Sequence, residues 1–192
     1  KLTLSFAHRF RDEAQFAHRW LAEGKIGVPQ VASSVMNAPR HPGLPGWVTQ
    51  KEIAGGGVMM YTAIHAVDRL RWLLGTEAER VTAQVRRWDP RSEVEDGAAA
   101  LLTFADGGRV PAGAVATLTA NAPPYWAQPA VWDTEILGTE GMRRLTREAV
   151  ELSSDRLQTR LETQTAGSRL GPHYNFVRQA EAFVAAMGGD RA

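Results

Sequence analysis

Apolar positions change their period along the chain, and the changes mark out elements. Leu2, Leu4 and Phe6 alternate with polar neighbours, so Leu2 to Phe10 reads as a strand. From Arg11 to Lys25 the spacing becomes helical, with Phe16, Trp20 and Leu21 on one side and Gly24 placed to stop the helix. Val28 to Met36 reads as a second strand. The stretch NAPRHPGLPGWVTQKEIAGGG is dense in Pro and Gly and reads as a loop. Loops of that length in compact domains are often functional. A second helix follows from Gly55 to Gly75, GGGVMMYTAIHAVDRLRWLLG. The pattern then turns strand-like at Val81 to Trp88, Gly97 to Ala105, Arg109 to Ala120, Val131 to Leu137 and Met142 to Leu152. Ala105 to Arg109, ADGGR, and Leu137 to Gly141, LGTEG, read as hairpin turns because Gly takes positive φ at no steric cost. Tyr174 to Met187 returns to helical spacing, with Phe176, Ala180, Phe183 and Met187 on one face. This order predicts an α+β fold, an open, mostly antiparallel or mixed β-sheet with helices packed on one face.

Composition narrows the picture. A chain of 192 residues with 44% hydrophobic and 22% charged residues suits one domain over residues 1–192 with a real core. A net charge of +1 gives no broad pull towards nucleic acid or an anionic membrane, and neither is expected as a partner. The absence of Cys excludes disulfides and thiolate metal sites. His8, His18 and His41 have no partners at metal-ligand spacing, so no metal site is expected. A cytoplasmic location fits these features, and the opening KLTLSFAHRF does not read as a signal peptide.

The second helix carries the candidate chemistry. On a helical wheel Met60, Ala63, Ile64, Val67, Leu70 and Leu74 form one apolar stripe. Tyr61, His65, Asp68 and Trp72 form a second stripe, roughly 130° round from the first. Asp68 lies one turn beyond His65, where a carboxylate can hold one imidazole nitrogen and leave the other free. Spacing alone leaves two readings, a proton-handling site and a satisfied polar pair on a partly buried helix. Gly55, Gly56 and Gly57 likewise permit close approach of a ligand, with helix-start amides open to an anion, or a simple hinge into the helix.

Gly55 to Gly57, then His65 and Asp68, closed by LRWLLG, resemble the signature of the C-terminal domain of the Gfo/Idh/MocA oxidoreductases, which include glucose–fructose oxidoreductase and inositol dehydrogenase. FAHRF and WLAEGKIGVPQV are similar to that family's opening elements, Trp47 to its Trp before the glycines, ILGTEGMRRL to its strand pair, and HYNFVRQAEAFVAAMGGD to its last helix. The resemblance covers nearly the whole chain. It implies a dihydrodipicolinate reductase-like C-terminal domain that supplies the substrate pocket and pairs through its sheet. It also implies NAD or NADP bound by an N-terminal Rossmann domain. This chain has no G-x-G-x-x-G in a βαβ context, so we expect a C-terminal domain without its cofactor domain, binding no cofactor alone.

Carried onto this sequence, the resemblance implies His65 as the proton-handling group, Asp68 as its partner, and Arg9 and Tyr61 as substrate contacts. Tyr61 stands where sugar and polyol members have an Asp, and Ala63 where they have a Gly. A phenol with an unperturbed pKa of about 10 is a poor base at neutral pH. His173, before the last helix, and Trp126, in a Pro-rich stretch, are further candidate substrate contacts. Gly55, Gly56 and Gly57 are candidates for close approach of the cofactor. The expected partners are the protein's own Rossmann domain, a sugar, inositol or related polyol, and a second copy of the chain. Two functions remain open: the substrate-binding part of an NAD(P)-dependent oxidoreductase, and a non-catalytic oligomerisation or ligand-binding module altered at Tyr61.

Overall fold

The computed structural model of the chain describes residues 2–41, 43–123, 130–147, 149–154, 157–162 and 173–188. Two helices, α1 (Asp12–Ala22) and α3 (Ile64–Leu74), lie on one face of a single sheet. The strands are β1 (Pro29–Asn37), β2 (Ala78–Arg86), β3 (Gly97–Phe104), β4 (Val115–Asn121), β5 (Val131–Gly138), β6 (Gly141–Leu145), β7 (Ala149–Ser154) and β8 (Leu157–Glu162). Their spatial order is β2-β3-β4-β1-β5-β6-β7-β8. Only the β1–β4 pair is parallel among these neighbours; every other pair is antiparallel. The expected α+β class and open mixed sheet are what the chain adopts.

Alternation decides which face is covered. Ala32, Ser34 and Met36 of β1, Ala116, Leu118 and Ala120 of β4, and Thr134 and Ile136 of β5 are buried under the helices. The small side chains of Ala32, Ser34, Ala116 and Ala120 let α1 and α3 approach the sheet, where Ala17, Ala66, Leu70 and Leu73 complete the core. Val31, Leu101 and Leu137 point to the opposite face and stay about half exposed.

The N-terminal segment departs from expectation. Leu2 to Phe10 is not a strand: Ala7–Phe10 is a 3₁₀ turn, and Leu2 and Leu4 are exposed. Both edges of β1 are already taken by β4 and β5, so no ladder is open to it there. The terminal helix α4 (Tyr174–Gly188) holds the turn instead. Tyr174 Oη accepts the Asp12 N–H at 3.0 Å, capping α1, and Asn175 Nδ2 donates to Ala7 O at 3.4 Å. Arg178 reaches Asp12 and donates to Phe10 O at 3.3 Å.

Three further differences have local causes. The expected strand from Arg109 starts only at Val115, because the preceding residues cap α3: the Arg109 N–H donates to Leu74 O at 2.9 Å and its guanidinium to Leu73 O at 3.2 Å. Met142 to Leu152 is two strands, β6 and β7, reversing where Thr146 and Ala149 exchange hydrogen bonds. The edge strand β8 has a largely polar sequence and was not expected. Within the long loop, residues Lys51–Ala54 form a single helical turn, α2.

Candidate active site

The helix that begins at the glycines does not begin as an α-helix. Met59–Ala63 form a π-helical turn, which runs into α3. A π turn widens the spiral and re-aims the residues before it, and such turns are frequent at functional sites. Met60, placed in the core stripe by the wheel, is 60% exposed for this reason, and Tyr61 is 52% exposed. The buried stripe is instead Ala63, Ala66, Leu70, Leu73 and Leu74.

The glycines have structural tasks here. Gly55 ends α2 at φ +73°. A Cβ on Gly57 would lie 1.8 Å from Glu95 O, so only Gly lets the two backbones meet. The helix-start amides that the sequence offers to an anion are engaged by the protein itself. Glu95 O accepts the Val58 N–H at 2.9 Å, and Glu95 Oε1 accepts the Met59 N–H at 3.2 Å.

Tyr61 borders a cleft of about 130 Å³. Apolar Leu44, Val48 and Val58 form part of its wall, and Arg40 and His41 bring the polar groups. The Pro-rich loop supplies much of this wall, which is why the sequence spends so many residues there. Arg40 is steadied by Asp89 at 3.4 Å, and His41 Nδ1 accepts the Gly43 N–H at 2.9 Å.

The expected His65–Asp68 hydrogen bond is not formed. Asp68, 2% exposed, instead accepts both arms of Arg9: Nε donates to Oδ2 at 2.8 Å, and a second nitrogen binds Oδ1. A forked guanidinium–carboxylate pair has the better geometry, and it comes from the 3₁₀ turn that the sequence reading took for a strand. Arg9 also lies over Phe6 and Trp72, each 5.8 Å from its carbon to the ring centre.

His65 is held by rings. It stacks on His8 at 4.5 Å with planes 21° apart, and meets the Phe6 ring edge-on at 6.1 Å. Its Nδ1 is buried with no protein partner among the described residues. Burial pushes its pKa below the usual 6.5; the Asp68 carboxylate opposes that shift and the Arg69 cation adds to it. His8 is lowered further, to about 3, by burial first and then by His65, Arg69, Arg11 and Arg147. Two neutral imidazoles therefore face each other at neutral pH, and His65 is in the form that accepts a proton.

The remaining candidates are not drawn into this group. His173 is exposed at the head of α4, its ring 6.2 Å from Phe176. Trp126 lies outside the described residues. Sequence reasoning missed His8, Glu95 and Arg69. A charged residue in the middle of an apolar run was the available signal for Arg69, and its neighbour Asp68 drew the attention. No helix among the described residues is long and apolar enough to cross a membrane.

Comparison with known proteins places the fold. Residues 14–144 match the model of the GFO/IDH/MocA C-terminal domain. The chain is 30% identical over 124 residues to D-glucoside 3-dehydrogenase of Escherichia coli K12, covering 56% of the chain and 35% of that protein. It is 35% identical over 114 residues to 1,5-anhydro-D-fructose reductase of Ensifer adhaerens, covering 55% and 33%. The alignments thus span about a third of these relatives' length. Levoglucosan dehydrogenase solved with NADH and levoglucosan shares the fold, with a TM-score of 0.80 at 23% identity, over 98% of this chain and 57% of that one.

Proposed function

The chain belongs to the GFO/IDH/MocA C-terminal domain family, and from that premise we propose that it is the substrate-side part of an NAD(H)-dependent oxidoreductase acting on a ring-form sugar. The observation that carries the reading is His65: neutral at neutral pH, partly buried, one helical turn from the Tyr61 cleft, and not engaged by Asp68. The relatives named above act on a glucoside and an anhydro sugar, so the proposed substrate class is a pyranoside or anhydro sugar.

In the proposed reaction a sugar hydroxyl becomes a ketone, or the reverse. A nicotinamide, when bound by the full-length protein, would supply the hydride chemistry. His65 accepts the hydroxyl proton during oxidation and returns it during reduction, and Nε2 is the nitrogen assigned to the substrate because Nδ1 is turned into the protein. Tyr61 binds a sugar hydroxyl as a hydrogen-bonding partner, not as the base. Arg9 and Asp68 are positioning residues, since each neutralises the other and together they tie the N-terminal turn to α3. Two of the three glycines are accounted for by packing, against Met60 and Glu95. Gly55 alone, with nothing within 4 Å of a Cβ built there, leaves open surface for a cofactor. The sheet face carrying Val31, Leu101 and Leu137 is the proposed surface for a second copy of the chain.

The test is nicotinamide-linked turnover by the full-length protein on a panel of glucosides, anhydro sugars, inositols and open-chain polyols. Turnover on a ring-form sugar is the expected outcome. Cofactor binding without turnover on any member would instead favour a non-catalytic module.

A further inference from the structure

Behind the histidine pair is a second, smaller cavity that the proposed reaction does not use. It measures about 10 Å³ and lies between the Ala7–Phe10 turn, α1, α3 and the β5 to β7 end of the sheet. His8, Arg69 and Trp132 line it. Each brings one buried nitrogen without a protein partner among the described residues: His8 Nδ1, Arg69 Nε and Trp132 Nε1. Arg11 and Arg147 also line it, with Glu13 as the acidic member. Arg11 is committed, its Nε to Glu13 and another nitrogen to the Arg147 carbonyl.

Arg69 states the problem most sharply. It is 5% exposed, and its NH2 donates to Ser34 Oγ at 3.3 Å. Among the described residues, the acids that act on it do so at longer range and are already bound elsewhere: Asp68 to Arg9, Asp133 to Arg144 and Glu13 to Arg11. A buried cation without a counter-ion at contact distance is costly. A water would meet the donors and leave the charge uncompensated. An anion meets both needs. The cavity has room for one small occupant only, which excludes sulfate, phosphate and carboxylates. A metal cation is excluded by the guanidinium groups around it.

We propose that this cavity is an internal binding site for one monatomic, monovalent anion of the chloride type. Arg69 Nε–H, Trp132 Nε1–H and the Nδ1–H tautomer of His8 are its three donors. The occupant ties α3, the Ala7–Phe10 turn and β5 together from inside. The inference stands apart from the sugar chemistry, because it needs neither substrate nor cofactor.

The full-length protein, exchanged into gluconate and titrated with chloride or bromide at constant ionic strength, tests it. The expected result is a saturable rise in melting temperature that gluconate does not give. Crystals grown in bromide are expected to show an anomalous peak within hydrogen-bond distance of Arg69 Nε. Arg69→Met removes a buried charge and risks misfolding, so the deciding variant is Trp132→Phe, which keeps the ring and removes one N–H. It should weaken the apparent halide affinity about tenfold, the value of one hydrogen bond to a charged group. Equal stabilisation by every salt, halide dependence unchanged in Trp132→Phe, or an ordered water without anomalous signal would each overturn the proposal.

Discussion

Two groups lie three residues apart on α3 and are treated in opposite ways. Around Asp68 the charges are matched: a buried carboxylate accepts both arms of Arg9, and aromatic rings pack against the guanidinium. Around His65 they are not: an imidazole is stacked on a second imidazole, its inner nitrogen has no protein partner among the described residues, and burial outweighs the Asp68 charge. The difference separates framework from chemistry. A matched pair fixes an element in place and gives little to a ligand. A group whose basicity is lowered by burial, and whose hydrogen-bonding capacity is unspent, is available to one.

The contrast can be broken most strongly at His65. His65→Gln in the full-length protein should lower turnover by about 10²- to 10⁴-fold, the usual worth of a general base, while the melting temperature barely moves. Steady-state kinetics beside calorimetry would show both. Asp68→Ala should do the reverse in kind. It strands a partly buried guanidinium, and urea denaturation should show a loss of about 2–3 kcal/mol, below the value of about 3–5 kcal/mol for a fully buried pair because Arg9 is partly exposed.

A third effect is acid sensitivity. His8 has a folded pKa of about 3 against 6.5 unfolded, so the unfolded chain binds more protons between those values. Stability should therefore be full above about pH 6.5 and fall as the pH drops towards 3, with a slope of up to about 1.4 kcal/mol per pH unit from this one group. His8→Phe keeps a ring on His65 and removes that slope, which denaturation at a series of pH values would reveal. The smallest effect belongs to Tyr61→Phe. Removing one hydroxyl at a half-exposed position should raise KM about fivefold with kcat little changed, near 1 kcal/mol of binding.

The sequence showed the frame better than the site. α1, β1, β3 and β5 follow from period and punctuation because each buries one face against a large core, whereas α4 is found by its period although its Phe176 and Met187 stay about half exposed. Long-range competition hid the rest. Residues before Val115 have strand character, yet their backbone is drawn off to cap α3. Leu2, Leu4 and Phe6 alternate as a strand does, yet both edges of β1 are already taken by β4 and β5. The π turn at Met59–Ala63 has no mark in residue spacing, and it is what moved Met60 out of the expected core.

The site shows the same limit. Local spacing paired His65 with Asp68, its neighbour on the helix. The fold paired Asp68 with Arg9, 59 residues away, through a bidentate geometry that spacing does not encode. His65, Asp68 and Arg9 were all picked out from the sequence, but their partnerships were not. His8 was noticed only as a histidine without metal spacing, and its role as the ring beneath His65 appears only in three dimensions.

Asp68 belongs to Arg9 and leaves His65 neutral. Titration of the His65 ring protons by NMR, assigned through His65→Gln, reads this directly. An apparent pKa below the usual 6.5 is expected, because burial outweighs the Asp68 charge. A value above 6.5 would mean instead that Asp68 pairs with His65 as an imidazolium.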